Sequence, residues 1–259
     1  MDLITASVSD TGGRPNNEDA YGEWRGDRQF ACVVADGAGG HGGGDAASRI
    51  VVDTVCGELQ RVASAGLPLT GPHLMRVLLR ANDAIVDAQE QGGRLENMRS
   101  TAVLLAIDEA QQCAAWAHCG DSRLYCFRNG AARIQTQDHS VVQSMVDANL
   151  LPEQDVRGHP RRNVLFSALG TAEELSIAVS EEPFALADGD VFLLCTDGFW
   201  EHVDETGMIE AISRTESPAA WLALLATQIR ENADAGHDNF TATAVWIGDP
   251  SQTTILIMR

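Results

Sequence analysis

Residues 30–48 read FACVVADGAGGHGGGDAAS, an apolar run that ends in an aspartate and leads through a glycine-rich loop into a second patterned stretch. The apolar run predicts a strand over 29–35. Gly26-Asp27 separates it from an earlier strand candidate at 20–25, as in a tight hairpin. Apolar positions 47, 50, 51, 55 and 59 then recur at helical spacing and predict a helix over 45–62.

The loop also contains GxGxxG, at Gly37, Gly39 and Gly42, which is the spacing of dinucleotide-binding loops. A hairpin precedes it, whereas a dinucleotide fold places the first strand of a parallel crossover there. Asp36 also lies where a pyrophosphate would approach, and a carboxylate repels a diphosphate unless a cation lies between them. The nucleotide interpretation is therefore disfavoured.

Outward from this stretch, the pattern predicts an α+β domain. Further strands are expected at 3–9, 101–108, 113–119, 123–128, 164–168, 175–179, 190–196 and 240–247, and helices at 72–89, 204–214 and 218–232. The strands between 101 and 128 are predicted to form an antiparallel meander. Because strands and helices do not alternate regularly, antiparallel sheets with flanking helices are favoured over a parallel α/β sheet. No repeat or linker divides the chain, so 1–259 is predicted to be one domain.

Composition excludes several chemistries. The chain carries 37 Asp and Glu against 18 basic residues, a net charge of −19, and every basic residue is arginine. Without lysine there is no Schiff base, pyridoxal-phosphate anchor or GxxxxGK[ST] loop. The acid excess argues against nucleic acid as a partner and favours divalent cations, although an acidic surface kept for solubility is the alternative account.

The cysteines and the hydropathy bear on the compartment. The six cysteines mostly lie in apolar runs and form no CxxC pair, so free thiols are predicted instead of disulfides or a zinc site. The N-terminus has no basic start, and no run approaches the roughly 18 to 20 apolar residues of a membrane span. We therefore expect a soluble, cytoplasmic monomer without a membrane partner.

Five aspartates lie at the ends of predicted strands. Three follow apolar strands and two precede them: Asp36, Asp121, Asp197, Asp19 and Asp238. Turn preference explains any single one of them. Gathered at one sheet edge they would repel one another, and burying them unpaired would cost several kcal/mol each, which divalent ions would offset.

Eight segments, in order, carry a resemblance to a known family: GGRPNNEDAY (12–21), VVADGAGGHGGGDAAS (33–48), MRSTAVLLAI (98–107), AHCGDSRLYCFRNG (117–130), TQDHSVV (136–142), RRNVLFSALG (161–170), LADGDVFLLCTDGFWEHV (186–203) and GHDNFTATAVWI (236–247). The sequence resembles the metal-dependent Ser/Thr protein phosphatases of the PPM (PP2C) family in their compact bacterial form. The resemblance implies a four-layer α-β-β-α sandwich with two antiparallel sheets and a binuclear Mn²⁺ or Mg²⁺ site at one end.

The resemblance also assigns roles residue by residue. It implies that Asp36 bridges two metals, that the Gly37 carbonyl binds the second, and that Asp197 and Asp238 hold the first. It further implies that Glu18, Asp19 and Asn239 contact the metals indirectly or through water. Asp121 and Asp197 are implied to hold a third, weaker metal, and Arg14 is implied to bind the phosphate.

The chemistry agrees with these assignments. Phosphomonoester hydrolysis is very slow without a catalyst, and two divalent ions supply a strong nucleophile and neutralise the phosphoryl oxygens. Hard cations prefer oxygen ligands, and Arg14 offers a planar fork of donors in a chain without lysine. We therefore predict hydrolysis of phosphoserine and phosphothreonine on proteins by a metal-bridging water or hydroxide, opposing a bacterial Ser/Thr kinase.

One position departs from the family pattern. Ala38 occupies the place where many eukaryotic relatives carry a histidine that is a candidate general acid. His41 is interpreted as structural, His118 and His139 as packing or hydrogen-bonding residues, and Asp138 as ordering the start of a flap.

The departure at position 38 leaves room for an alternative, a non-catalytic regulator that keeps the fold and binds a phosphorylated partner. No metal aspartate of the family pattern is lost, which argues against it. A calcium module is disfavoured because no DxDxDG loop is present.

The flap and the C-terminal tail carry two further predictions. The flap at about 146–163 carries Arg157, Arg161 and Arg162, which we predict recruit acidic phospho-substrates, with a merely solvated flap as the alternative. The apolar tail TTILIMR at 253–259 resembles a docked last strand without an identified partner.

Overall fold

Two antiparallel sheets form the centre of the molecule in a computed structural model that describes residues 2–39, 43–172 and 174–250. The strands of the first sheet follow the order β1 (Leu3–Asp10), β12 (Phe240–Ile247), β11 (Val191–Cys195), β7 (Arg123–Arg128) and β8 (Ala131–Gln135). Those of the second follow the order β10 (Phe184–Ala185), β6 (Cys113–Cys119), β5 (Ala102–Asp108), β3 (Gln29–Ala38) and β2 (Asp19–Arg25), with β4 (Arg99–Ser100) beside β3 and β9 (Ala178–Val179) beside β6.

Helices cover the outer faces of both sheets. The helices are α1 (Gly44–Ser64), α2 (Gly71–Gln89), α3 (Val141–Asp147), α4 (Asp197–Trp200), α5 (Glu205–Ile212) and α6 (Pro218–Asn232), with 3₁₀ turns at Gly93–Leu95 and Glu153–Asp155. α1 and α2 pack on the second sheet, and α4, α5 and α6 pack on the first. The layers therefore run helix, sheet, sheet, helix, which confirms the predicted α+β fold.

The sheets pack face to face through large apolar side chains. Phe30 and Leu105 of the second sheet meet Phe192, Leu194 and Val245 of the first in one buried cluster. Because helices cover the outer faces, these antiparallel strands are buried on both sides and show little of the alternation that a half-exposed sheet would show. All eight residues of β12 are buried.

The buried hydroxyl groups of the two threonines of β12 each hydrogen-bond with a serine hydroxyl of β1. Ser7 and Ser9 of β1 lie 2.9 and 2.8 Å from Thr243 and Thr241. The two strands pair along their full lengths, from Leu3 opposite Ile247 to Asp10 opposite Phe240. The strand nearest the N-terminus thus depends on one of the last strands of the chain.

Two sequence predictions are corrected, and one strand, β8, lay outside every prediction. The meander is wrong, because β6 pairs with β5 whereas β7 pairs with β11 in the other sheet. Gly120 makes this crossing with φ +97°, and a Cβ there would lie 2.6 Å from Thr101 Cγ2. Segment 164–168 is not a regular strand. It forms one isolated bridge, between Leu165 and Ser140, and Leu169 just beyond it bridges to Ser100. β8 was not predicted, because AARIQ is exposed and lacks an apolar alternation.

The prediction of free thiols is confirmed, and two other predictions lie outside the described residues. All six cysteines are free thiols: Cys32, Cys56, Cys113, Cys119, Cys126 and Cys195. Within residues 2–39, 43–172 and 174–250, no helix combines the length and the hydropathy that a membrane crossing requires. The predictions for His41 and for the tail at 253–259 fall outside these ranges.

The inter-sheet core yields a test of the fold. Leu194 is fully buried between the sheets, and Leu150 is 73% exposed. We expect Leu194→Ala to lower the free energy of unfolding by about 2–5 kcal/mol and Leu150→Ala by less than about 0.5 kcal/mol. Urea denaturation followed by tryptophan fluorescence measures both, and equal losses would contradict the assignment of the core.

Candidate metal centre

The strand ends bring the five aspartates to one end of the sandwich. Asp19 and Asp36 lie directly opposite each other in the register of β2 and β3. Opposite residues of an antiparallel pair have Cβ atoms about 4.5–5.5 Å apart, so these two carboxyl groups are close neighbours. Asp121 follows β6 through the Gly120 turn.

The other two aspartates come from the first sheet. Asp197 follows β11 and Asp238 precedes β12, and Thr196 donates its backbone N–H to the Thr241 carbonyl at 3.0 Å, which joins these strand ends. The Thr196 hydroxyl then donates to Asp19 Oδ2 at 3.0 Å and links the first sheet to the second. The predicted clustering is thus realised in space.

The carboxylates strongly disturb one another. Burial raises the pKa of Asp36 and of Asp121 well above the ordinary value, and neighbouring carboxylates, Asp197 among them, raise both further. Burial likewise raises the pKa of Asp19 and of Asp197 to about 7, with the charge of Asp238 adding to each. Such a group of acids gains from any cation that binds among them.

The cluster is open to solvent on one side. Asp121 and Asp197 are 4% and 6% exposed, whereas Asp19 and Asp36, although deeply surrounded by protein atoms, keep part of their surface open, as does Glu18. Solvent therefore reaches the carboxylates from the side of β2 and β3.

At the start of α1, the Gly37 carbonyl oxygen and the Glu18 carboxylate border one small space beside Gly44. A Cβ on Gly44 would lie 2.5 Å from the Gly37 carbonyl oxygen and 2.7 Å from Glu18 Oε2. Only a glycine leaves this space free, and both oxygens are hard donors of the kind that Mg²⁺ and Mn²⁺ prefer. The predicted contributions of Gly37 and Glu18 to a metal site are compatible with this geometry.

Side chains alone do not complete a site. In the part of the chain that the structure describes, no group of three or more His, Cys, Asp or Glu side chains is arranged to hold an ion. Mg²⁺ usually keeps several waters and binds through one or two carboxylates, so this arrangement suits an ion held partly through water and main-chain oxygen. The donor set fits Mg²⁺ or Mn²⁺ in that manner.

Asn239 joins the parts of the centre. Its side-chain oxygen accepts the Glu18 N–H at 2.8 Å, and its amide group donates to the carbonyls of Thr11 and Asn16 at 2.8 and 2.9 Å. Its backbone N–H donates to Asp238 Oδ1 at 2.9 Å. Asn239 therefore fixes the loop that carries Glu18 against the strand that follows Asp238.

Arg14 lies at the rim of the cluster. Its guanidinium donates to Asp238 Oδ2 at 2.8 Å, and its side chain is 53% exposed. Exposed ion pairs contribute little to stability. Arg14 can therefore turn its donors toward an anion at little cost to the fold.

His118 and His139 are structural. Their rings stack at 4.9 Å; His118 Nε2 donates to the Gln137 carbonyl at 2.8 Å, and His139 Nδ1 accepts the Gly120 N–H at 3.2 Å. Burial lowers the pKa of both imidazoles, that of His139 to about 4. Both are neutral near pH 7 and hold the turn before Asp121.

Asp138 and two of the three flap arginines are engaged in ion pairs. Both oxygens of Asp138 accept from Arg123 at 2.8 Å, which ties the segment before the flap to β7. Arg162 makes a bidentate ion pair with the carboxylate of Glu201. Arg157 donates to Glu205 at 3.0 Å and to the Val203 carbonyl at 3.1 Å.

Arg161, by contrast, is exposed and has no side-chain partner among the described residues. Of the three arginines predicted to recruit acidic phospho-substrates, Arg161 is therefore the one whose side chain is unpaired within the described ranges.

Sequence reasoning missed several side chains that shape the centre. Thr101 Oγ accepts the Asp36 N–H at 3.0 Å and lies 2.6 Å from Ser122 Oγ. Trp200 Nε1 donates to the Asp121 carbonyl at 2.9 Å. These residues lie in the quoted segments beside the aspartates, and that proximity was the one signal available.

Comparisons with known proteins agree with this geometry. A family model described as protein phosphatase 2C matches residues 11–233. The chain is 32% identical over 237 residues to serine/threonine phosphatase stp of Listeria monocytogenes, covering 90% of each.

Two solved structures are also similar. PppA, described as a regulatory component of T6SS in Pseudomonas aeruginosa, is 32% identical with a TM-score of 0.72, covering 94% of this chain and 97% of that one. The catalytic domain of the phosphatase PstP in complex with two manganese ions is 29% identical with a TM-score of 0.75, covering 95% and 99%.

The raised pKa values predict how pH affects the metal-free protein. The folded-state pKa of Asp197 lies at about 7, above the unfolded value of 3.8, so protonation of this carboxyl group favours the folded state. The stability that protonation provides is fully present below about pH 4 and is lost as pH rises through 7. We expect Asp197→Asn to raise the melting temperature in EDTA by several degrees at pH 8 and hardly at pH 4.

The control for this prediction is Asp83→Asn, which changes a carboxylate that is 59% exposed. Differential scanning fluorimetry across the pH range compares both variants with the wild type. An equal effect of Asp197→Asn at the two pH values would contradict the electrostatic account.

Proposed function

Because the chain belongs to the protein phosphatase 2C family, we propose that it hydrolyses phosphoserine and phosphothreonine on proteins with divalent metal ions. The observation that carries the proposal is the group of five mutually repelling aspartates beside an exposed arginine at one end of the sandwich. The similar proteins include a serine/threonine phosphatase of Listeria monocytogenes and the catalytic domain of the phosphatase PstP, which was solved in complex with two manganese ions. The protein is thus an enzyme of the phosphoric monoester hydrolase class.

We propose the following division of the metal ligands. Asp36, Asp197 and Asp238 would hold one divalent ion, and Asp36 and the Gly37 carbonyl would hold a second. Glu18 and Asp19 would contribute through water, and Asn239, whose N–H donates to Asp238 Oδ1, would keep Asp238 in place. Asp121 and Asp197 would hold a third, weaker ion.

The chain's own groups orient the substrate. When bound, the ions activate water and neutralise charge on the phosphoryl oxygens. Arg14, at the open rim, holds two phosphoryl oxygens with its planar fork and keeps the phosphate over the carboxylates. Ala38 is exposed and carries no proton donor, so we propose that solvent protonates the leaving alkoxide.

The alternative, a non-catalytic regulator, is not favoured. It predicts the loss of carboxylates from the centre, yet every predicted aspartate is present and clustered. An acidic calcium module is likewise not favoured, because the family match covers residues 11–233.

The physiological partners belong to the same proposal. Phosphoproteins are the substrates, and the enzyme opposes a Ser/Thr kinase that acts on the same proteins in the cytoplasm. We propose that residues 1–259 form one catalytic domain that works as a monomer, with 146–163 as a flap beside the centre. A phosphoproteome comparison with and without the protein identifies the client.

Metal dependence is the direct test. We expect turnover of p-nitrophenyl phosphate and of a phosphothreonine peptide with Mn²⁺ or Mg²⁺, none in EDTA, and a fall in kcat of at least about 100-fold for Asp36→Asn. Asp83→Asn is the control on an exposed carboxylate. Turnover that persists in EDTA, or that is absent under all conditions, would refute the proposal.

The flap is tested separately through Arg161. Since it is the exposed member of the flap arginines, we expect Arg161→Ala to lower kcat/KM about two- to fivefold on an acidic phosphopeptide and to leave p-nitrophenyl phosphate turnover unchanged. Increasing salt should remove the difference. An unchanged kcat/KM on the peptide at low salt would show that the flap is merely solvated.

A further inference from the structure

The short helix α4 connects the two carboxylates proposed for the third ion. Asp197 is its first residue and Trp200 its last, and Trp200 is 1% exposed. The indole Nε1 donates to the backbone carbonyl of Asp121 at 2.9 Å. The element that begins with one of these carboxylates therefore holds the main chain of the other.

The indole ring is itself held in place. The guanidinium carbon of Arg123 lies 3.6 Å from the ring centroid of Trp200, which is close cation–π stacking. The Arg123 guanidinium in turn makes a bidentate ion pair with both carboxylate oxygens of Asp138 at 2.8 Å, and it donates to the Tyr125 hydroxyl at 3.1 Å. Since Arg123 is 5% exposed, this arrangement is shielded from solvent.

Asp121 is also anchored through its two neighbours in sequence. The Gly120 N–H donates to His139 Nδ1 at 3.2 Å, and the Ser122 hydroxyl lies 2.6 Å from Thr101 Oγ1. These bonds attach the turn to Thr101, just before β5, and to the segment before the flap. Trp200 adds an attachment to α4, the helix that begins with Asp197.

We propose that Trp200 is a positioning residue whose indole N–H sets the spacing of Asp121 and Asp197 and thereby the affinity of the third, weaker divalent-ion site. Arg123 and Asp138 keep the ring in the required orientation. The inference rests on the proposed function, because it takes the third ion from there. Partners that orient metal ligands typically change metal affinity about 10- to 100-fold when they are removed.

The test is Trp200→Phe, which removes the N–H donor and keeps an aromatic ring for Arg123. Trp221→Phe is a matched control, because Trp221 is also fully buried and donates its indole N–H to a backbone carbonyl, that of Met208, at 3.1 Å. Mn²⁺ is titrated calorimetrically into the metal-stripped proteins, and electron paramagnetic resonance counts the free ion. Thermal melts compare the folding of the two variants.

For Trp200→Phe we expect the dissociation constant of the weak Mn²⁺ site to rise about tenfold or more while the two tight sites keep their affinities. Trp221→Phe should match the wild type at every site. Equal Mn²⁺ binding by the two variants would overturn the inference, as would equal weakening of all three sites in Trp200→Phe. A wild type that binds no Mn²⁺ would instead refute the proposed function.

A second variant covers a failure of Trp200→Phe to fold. Arg123→Lys keeps the indole N–H but loses the planar stacking and the fork onto Asp138. It should weaken the same Mn²⁺ site selectively, and an unchanged weak site in folded Arg123→Lys would overturn the inference.

Discussion

Electrostatic repulsion among carboxylates at one end of the sandwich is the constraint on which the rest of the structure depends. Folding brings Asp19, Asp36, Asp121, Asp197 and Asp238 together, and burial alone raises the pKa of several of them. Burying unpaired acids costs several kcal/mol each, and the apolar core between the sheets offsets that cost. Without cations, the ionised carboxylates of this centre therefore oppose folding.

Directional contacts keep the acids from spreading apart. The register of β2 and β3 fixes one pair, the Thr196 hydroxyl joins the two sheets, and Asn239 closes the N-terminal loop onto β12. In a chain without lysine, arginine makes most of the remaining connections. Arg123, Arg157 and Arg162 form ion pairs within the fold, whereas Arg14 lies exposed at the rim of the centre and Arg161 is exposed in the flap.

Local patterns predicted most strands and helices because each is a contiguous run with its own period. They did not predict that β7 leaves the meander, since membership of a sheet is decided by pairing with β11, more than 60 residues later in the chain. The aspartates were predictable from their places at strand ends. The contribution of Trp200 was not, because an indole in an apolar run indicates only burial until its hydrogen-bond partner is known. The ion pairs of Arg157 and Arg162 likewise depend on where the flap lies.

The full-length pairing of β1 with β12 bears on how the protein is made. During synthesis β1 is made more than 200 residues before its partner strand β12 and before Asp238. Neither the first sheet nor the carboxylate centre can close on a nascent chain that lacks β12, and such non-local pairing is slow to form. A fragment of the chain that lacks β12 therefore has no complete carboxylate centre.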